Sequence, residues 1–200
     1  MKTWLLVLLA VGAQEAKSEP KTRKCTRGAL VWHEKFEGDA FPKEWHQGKG
    51  TWVVEKGTLK GAELLEDKHQ AYASRKVSAP DAVLQFDFKL DGARLVGAFF
   101  NGKEKAAALS MSADSVKLFR IPSWTLVGSA DAKLDDKGWH TVVWEVVGDE
   151  MVATVDGQAS ATAKVEGLPR DREYFELNTR GGQWGAFRDV KAWKAEPKKD

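Results

Sequence analysis

Short runs of alternating apolar and polar residues, each closed by a turn-forming pair, recur through most of this sequence. In the run 82–90, every second residue from Leu84 to Leu90 is apolar, and the residues between them are polar. A period of two residues indicates a strand that is buried on one side. An Asp-Gly pair closes this run, and an Asn-Gly pair, which is a strong hairpin signal, closes the run 95–100.

The same pattern extends along the chain without an intervening helical segment. Turn signals separate the runs at intervals of about 8–12 residues, which is typical of all-β sandwiches. This organisation favours an antiparallel sandwich over a fold that alternates strands with helices. We therefore predict an all-β chain that forms an antiparallel two-sheet jelly-roll sandwich. The expected strands are 51–55, 58–61, 82–90, 95–100, 106–111, 115–121, 139–147, 151–155, 159–165, 174–179 and 184–193.

Nine tryptophans supply large apolar side chains for such a sandwich. Four of them lie in strand patterns and are expected in the core, namely Trp52, Trp139, Trp144 and Trp193. In the last strand, Phe187 and Val190 differ in parity. We expect either a bulge between these two residues or one side chain that faces outward.

The first 13 residues have the parts of a secretory signal peptide. Lys2 supplies a positive charge, residues 4–11 are nearly all apolar, and small residues precede a cleavage site after Ala13. The apolar run is too short to span a bilayer, which needs about 20 residues. We predict a signal peptide over 1–13 and a secreted or periplasmic protein without a transmembrane segment. The alternative is a buried N-terminal helix or strand.

The two ends of the chain are polar and basic. We predict a polar linker over 14–28, the sandwich over 29–195 and a tail over 196–200. The net charge is +2, and basic residues cluster only at the two ends, which we interpret as solvated tails. Nucleic-acid binding needs a clustered basic face, so we predict no nucleic-acid partner. The sequence leaves the oligomeric state open.

Cys25 is the only cysteine, so no disulfide can form within the chain. A secreted chain without disulfides fits a bacterial periplasm or exterior better than a eukaryotic secretory route. We expect Cys25 to be an unpaired thiol in the linker. An intermolecular disulfide is the alternative.

Three stretches resemble a known family of secreted proteins. They are Phe36-Glu37-Gly38-Asp39 with Trp45, Trp52, Val54, Glu55, Gly57 and Leu59; Gly138-Trp139-His140 through Asp156-Gly157; and Phe187-Arg188-Asp189-Val190 with Trp193. They are similar to motifs of the DUF1080 family, described as 3-keto-glucoside lyases/hydratases or 3-keto-disaccharide hydrolases, and to its secreted planctomycete-type branch. The resemblance implies the concanavalin A-like fold, which laminin-G-like domains and family 16 glucanases share.

The middle of the chain departs from the family pattern. Members with an enzymatic pattern carry an N-S-G-(I/V)-F-F-R strand and a Y-E-V-Q-I-x-D strand that together line the concave face. The corresponding segments here are 96–101 and 107–112, in which Asn, Ala, Leu and Ser replace the Arg, Tyr, Glu and Asp. No family catalytic residue is therefore assigned to this chain.

Few titratable residues are arranged for catalysis or metal binding. Retaining glycosidases need two carboxylates about 5–5.5 Å apart, and the chain has no E-x-D-x-E strand that would supply them. The candidate catalytic groups are Asp87, on the polar face of a strand, and His69, in a loop. Glu66 and Asp67 in the same loop are candidate ligands for a divalent metal such as calcium. The alternative interpretation is a solvated polar loop.

Carbohydrate binding does not need such an arrangement of titratable groups, because sugars stack their C–H faces on exposed aromatic rings beside planar polar side chains. The candidates lie in loops or at strand ends: Trp45, Gln47, Trp124, Arg180, Gln183 and Trp184. For each tryptophan, the alternative is a plug over the edge of the core.

Three functions fit these observations. The first is a carbohydrate-recognition or glycan-associated secreted module without the catalytic residues of the family. The second is an enzyme that acts on 3-keto-disaccharides, and the third is an envelope protein-interaction domain. Because one fold hosts all three, the arrangement of side chains has to distinguish them.

Overall fold

The computed structural model describes residues 19–103 and 106–198, so the predicted signal peptide lies outside the described residues. Within these ranges the only helical segment is a 3-10 turn at Leu65–Asp67, and no helix there is long and apolar enough to cross a membrane. The strands are β1 Cys25–Glu34, β2 Trp45–Gln47, β3 Thr51–Glu55, β4 Thr58–Ala62, β5 Ala71–Lys76, β6 Ala82–Lys89, β7 Leu95–Asn101, β8 Ala107–Ser112, β9 Ser115–Arg120, β10 Thr125–Asp131, β11 His140–Val147, β12 Glu150–Val155, β13 Ala159–Lys164, β14 Tyr174–Arg180 and β15 Trp184–Pro197.

The strands form two antiparallel sheets that pack face to face. Sheet A has the order β13-β12-β11-β6-β15-β4-β3, and β1 pairs with the C-terminal part of β15. Sheet B has the order β10-β9-β8-β7-β14-β5-β2. Strands distant in sequence, such as β6 and β15, are neighbours in each sheet, as in a jelly roll. The predicted all-β, two-sheet antiparallel sandwich is confirmed.

The core lies between the inner faces of the two sheets. In β6, Phe86 and Phe88 are fully buried, whereas Asp87 and Lys89 lie on the outer face. Phe86 packs against Phe175 of sheet B with 5.7 Å between the ring centroids. The alternation seen in the sequence therefore separates a core face from an outer face.

The tryptophans of the strand patterns do not all lie in this core. Trp52 and Trp144 do, but Trp193 belongs to a smaller buried cluster on the outer face of sheet A. Trp139 is half-buried, and the guanidinium group of Arg188 lies 4.1 Å from its ring. The prediction of a core position was wrong for Trp139 because this residue precedes β11 and packs against cations on the outer face.

The last strand contains the bulge that its sequence allowed. The register between β15 and β6 shifts between Arg188 and Lys191, and both Phe187 and Val190 are fully buried. Asp189 lies in the bulge with a φ of 50°. The bulge restores the parity that the sequence breaks, so both apolar side chains reach the core.

Both ends of the sandwich extend beyond the predicted boundaries. β1 begins at Cys25 and pairs with β15 as far as Pro197, so 25–28 and 196–197 belong to the sheet rather than to a linker and a tail. The Cys25 side chain is buried, and its Sγ lies 3.5 Å from Oε2 of Glu145. Burial, assisted by the Glu145 carboxylate, raises the pKa of the thiol to about 12. Cys25 is therefore a buried neutral thiol within a strand.

Candidate functional site

Trp124, in the turn between β9 and β10, is the most exposed of the three candidate tryptophans. Its side chain is 53% exposed, against 37% for Trp184 and 4% for Trp45. The ring packs edge-on with Phe99 and Phe119, at centroid distances of 5.6 and 5.9 Å. These contacts hold the ring in place while half of it stays open to solvent. We call Trp124, Phe99 and Phe119 the Trp124 platform.

Strand parity places the platform on the outer face of sheet B. Phe99 in β7 and Phe119 in β9 both pair with Ala108 of β8, which lies between them. The alanine is 2% exposed because the surrounding rings cover it. Trp124 has a φ of 54°, an uncommon conformation for a bulky residue. The local fold thus presents one large ring above a small aromatic layer.

A row that contains two polar side chains crosses sheet B beside the platform. Ser110, Gly97 and Asn178 pair in sequence across β8, β7 and β14. Asn178 is 3% exposed, and its Nδ2 has no hydrogen-bond partner among the residues that the structure describes. A buried donor without a partner costs free energy. The Nδ2 atom is itself buried, so the amide donor is covered by the surrounding side chains rather than open to solvent.

Gly97 is required for this arrangement. A Cβ at that position would lie 2.4 Å from the Leu109 carbonyl oxygen and 3.0 Å from Oδ1 of Asn178. The Asn178 side chain therefore occupies space that only a glycine leaves open. The amide and the glycine together form a cradle on the outer face of sheet B.

A cavity of about 660 Å³ opens beside the same turn, between β9, β10 and the end of β13. Polar side chains in its lining include Arg120, Ser123 and Lys164. Its volume is within the range of small-molecule sites, about 300–1,000 Å³. An exposed ring and a cavity with a mostly apolar lining thus flank one turn, which makes this turn the leading candidate site.

The other predicted sugar-binding residues do not join this site. Arg180, Gln183 and Trp184 lie together at the turn between β14 and β15, where all three are exposed. Phe99 of the platform pairs with Glu176 of β14, four residues before Arg180. At about 3.3 Å per residue the two groups are roughly 13 Å apart along the strand. They lie toward opposite ends of sheet B.

Trp45 is buried and Gln47 is exposed, and neither lies at the Trp124 turn. Trp45 packs against Trp32, Phe36 and Phe175 in the core, and its indole N–H donates to Glu34. Its expected role at the surface was wrong, because the ring completes the aromatic core beneath β2. Gln47 is exposed, but β2 is the edge strand opposite β10, so Gln47 is remote from Trp124.

The two candidate catalytic residues are far from each other. Asp87 lies on the outer face of sheet A, where it accepts hydrogen bonds from Thr141 Oγ1 at 2.6 Å and Arg188 Nε at 3.2 Å. His69 lies beside sheet B, with its ring against Tyr72. The sandwich separates the two side chains, so they form no acid–base pair.

The candidate metal ligands have mostly structural contacts. Asp67 accepts a hydrogen bond from the backbone N–H of Gly50 at 2.8 Å, and this bond is the main reason that the pKa of its carboxyl lies below the usual value. The ammonium group of Lys49 lies 3.5 Å from the same carboxylate, and Glu66 is exposed. Within 19–103 and 106–198, no three His, Cys, Asp or Glu side chains converge to hold a metal.

Comparison with known proteins identifies the fold. No family model and no curated protein matches the sequence. A Bacillus subtilis protein of unknown function with a galectin-like fold superposes with a TM-score of 0.66 at 12% identity, covering 87% of this chain and all of that one. The carbohydrate-binding module CBM66 from Bacillus subtilis gives a TM-score of 0.62 at 16% identity over 76% of this chain and 96% of that chain.

An enzyme has the same fold. SCLam, described as a non-specific endo-β-1,3(4)-glucanase of family GH16, gives a TM-score of 0.62 at 14% identity over 91% of this chain and 98% of that chain. At such identities the similarity establishes the architecture alone. The chain is thus a concanavalin A-like jelly-roll β-sandwich, and its membership of the DUF1080 family stays a prediction.

The other residues of the platform and the cradle were not predicted from the sequence. A signal for the platform was present, because Phe99 and Phe100 are adjacent in a strand and one of them has to face outward. Phe100 is in the core, so Phe99 is on the outer face. Asn178 gave no signal of its own, because its burial depends on neighbouring strands that are distant in the sequence.

Proposed function

We propose that this chain is a secreted or periplasmic carbohydrate-recognition module that binds a glycan on the outer face of sheet B. The observation that carries the proposal is the Trp124 ring, half exposed and held by Phe99 and Phe119. A fixed, exposed ring offers the stacking surface that sugar C–H groups prefer. Because the ring is already positioned, binding costs little side-chain entropy.

Polar groups near the ring support the same function. Ser110 is half-buried on the outer face of sheet B, in the same row as the buried Asn178 amide. Amide and hydroxyl side chains of this kind orient a sugar through its hydroxyl groups. A carbohydrate-binding module and a glucanase share the fold, which makes a glycan ligand a reasonable first choice.

Two other functions remain alternatives, and the binding experiment distinguishes them from carbohydrate recognition. The DUF1080 resemblance implies action on 3-keto-disaccharides, but the candidate residues His69 and Asp87 lie against different sheets. An envelope protein-interaction domain would use the exposed apolar groups near the same turn, such as Leu126, which is 49% exposed. Neither alternative has an observation that favours it over sugar stacking.

The experiment is a glycan array with and without calcium, followed by titration of the full chain. The array includes β-1,3- and β-1,4-linked glucan oligosaccharides, because the similar SCLam acts on β-1,3(4)-glucan. We expect Trp124→Ala to weaken binding of the best of these oligosaccharides by about tenfold or more, equivalent to ~1.4 kcal/mol. Trp184→Ala is the matched tryptophan control and should bind within about twofold of the unchanged chain.

The opposite ranking of the two variants would place the site at the β14–β15 turn and overturn the assignment to Trp124. Turnover of 3-keto-disaccharides is measured on the same samples. Turnover that disappears in His69→Ala or Asp87→Asn would establish the enzyme alternative. An array without any glycan signal would contradict carbohydrate recognition.

A further inference from the structure

The described parts of the two basic segments, 19–27 and 194–198, meet on the outer face of sheet A. β1 and β15 pair antiparallel, with Cys25 opposite Pro197, so the residues before β1 lie beside those after β15. Nζ of Lys198 donates a hydrogen bond to the Arg23 carbonyl oxygen at 2.6 Å. The basic ends that the sequence analysis interpreted as separate solvated tails therefore form one surface.

A buried carboxylate holds the N-terminal segment on this face. Glu145 is 1% exposed, and its oxygens accept the backbone N–H groups of Arg23 and Lys24 at 2.6 Å each and of Cys25 at 3.0 Å. Hydrogen bonds to a charged acceptor are the stronger kind. The cationic side chains that precede β1 are thus presented by an anchored segment.

Between this segment and the sheet lies a groove of about 850 Å³. Its cationic side chains are Lys21, Arg23 and Lys198, and its wall includes Thr22, Thr141 and Thr154. The hydroxyl groups of Thr141 and Thr154 already have partners in Asp87 and Ser160. We call it the basic groove. Arg23 also donates to the Gly157 carbonyl oxygen at 3.3 Å, which keeps its guanidinium group at the wall.

The charges in the basic groove are unbalanced. Lys24 pairs with Glu150, outside the groove, but none of the three groove cations forms an ion pair within the described residues. The acid in the lining is Asp156, whose oxygens accept from the backbone N–H of Thr141 at 2.8 Å and contact Nδ1 of His140 at 2.7 Å. The groove therefore has a net positive charge and attracts anions.

We infer that the basic groove binds the oxyanion of an acidic saccharide, either a sulfate ester or a carboxylate. The cations pair with the anionic group, and the hydroxyl-bearing wall suits the remaining sugar hydroxyls. No aromatic ring lies in the described lining of the groove, whereas proteins that bind single-stranded nucleic acids stack bases on such rings. Because the groove is on sheet A, the inference does not rest on the Trp124 platform.

The test compares dextran sulfate, oligogalacturonate, neutral dextran and single-stranded DNA of matched length, titrated into the full chain by calorimetry at two salt concentrations. We expect binding of the sulfated or the carboxylated probe, no binding of neutral dextran and weaker binding at high salt. The sulfated and carboxylated probes distinguish the two possible sources of the oxyanion. Lys21→Gln/Arg23→Gln/Lys198→Gln should lower the affinity for the acidic probe by about tenfold or more.

The matched control removes the same charge elsewhere. Lys35, Lys43 and Lys56 have side chains that are 58%, 91% and 89% exposed, so Lys35→Gln/Lys43→Gln/Lys56→Gln tests net charge alone. We expect this control to bind within about twofold of the unchanged chain. An equal loss in both triple variants, no binding of either acidic probe, or tighter binding of single-stranded DNA would overturn the inference.

The groove and the platform are distinguished by cross-testing. Trp124→Ala should keep the affinity for the acidic probe, since its side chain lies on the other sheet. Loss of that affinity in Trp124→Ala would contradict a site in the basic groove. Thermal unfolding of each variant verifies that its fold is intact.

Discussion

The outer faces of the two sheets use their polar residues in opposite ways. On sheet A, Glu145 accepts three backbone N–H groups, and Asp87 is bound by Thr141 and Arg188. On sheet B, the amide of Asn178 has a donor without a described partner, and Trp124 is half exposed. The carboxylates of sheet A maintain the fold, whereas the outer face of sheet B presents the half-exposed Trp124 ring to solvent.

This difference explains why carboxylates on strands did not predict a catalytic site. An acid that projects from a strand looks available in the sequence, but its partners come from distant segments. Asp87 and Glu145 are both bound by residues more than 50 positions away. An exposed ring that its neighbours hold in place is the better indicator of a ligand site, because a ligand can stack on it without prior rearrangement of the ring.

The largest expected effect separates a core tryptophan from the platform tryptophan. Trp144 is fully buried in β11, so Trp144→Ala should lower the free energy of unfolding by about 3–5 kcal/mol. Trp124→Ala should lower it by less than about 1 kcal/mol, because half of that ring already faces solvent. Urea denaturation measures both. Equal losses would show that Trp124 is a plug over the core rather than a binding platform.

The next largest change in stability is expected when the anchor of the N-terminal segment, Glu145, is removed. Glu145→Ala should cost about 3 kcal/mol, because it leaves several backbone N–H groups without an acceptor. It should also make the Cys25 thiol react faster with a thiol reagent, since that side chain is buried against Glu145. Glu66→Ala, at an exposed position, is the control and should change stability by no more than about 0.5 kcal/mol. An unreactive Cys25 in Glu145→Ala would argue against the anchor.

The smallest expected changes in stability come from removing one polar side chain on the outer face of each sheet. Asp87→Ala removes the acceptor of Thr141 and Arg188 and should cost about 1–2 kcal/mol. Asn178→Ala should cost about 1 kcal/mol or less, because its amide donor has no described partner to lose. Thermal unfolding ranks the pair. A larger loss for Asn178→Ala would mean that its amide is structural.

Much of the fold could be predicted from the sequence because strand alternation and turns are local signals. The alternation around Phe86 followed from parity. Parity left two alternatives after Phe187, a bulge or an outward-facing side chain, and the structure has the bulge. The start of β1 at Cys25 could not be predicted in this way. Its polar residues are stabilised by pairing with β15 and by Glu145, both far away in the sequence.

The candidate site was predictable only in part. Trp124 was identified from its position in a loop, and the structure leaves it exposed. Trp45 had a similar loop position, but it fills the core beside Trp32 and Phe175. The two tryptophans differ in tertiary surroundings, which no local pattern encodes.

The most direct test of the account is NMR titration of the isotope-labelled chain with the β-glucan oligosaccharide that binds best on the array. We expect the indole N–H signal of Trp124 and the side-chain amide signals of Asn178 to shift, while the backbone signals of Lys24 and Cys25 stay in place. Shifts confined to the segment before β1, or to Trp184 and Arg180, would contradict a glycan site on the outer face of sheet B.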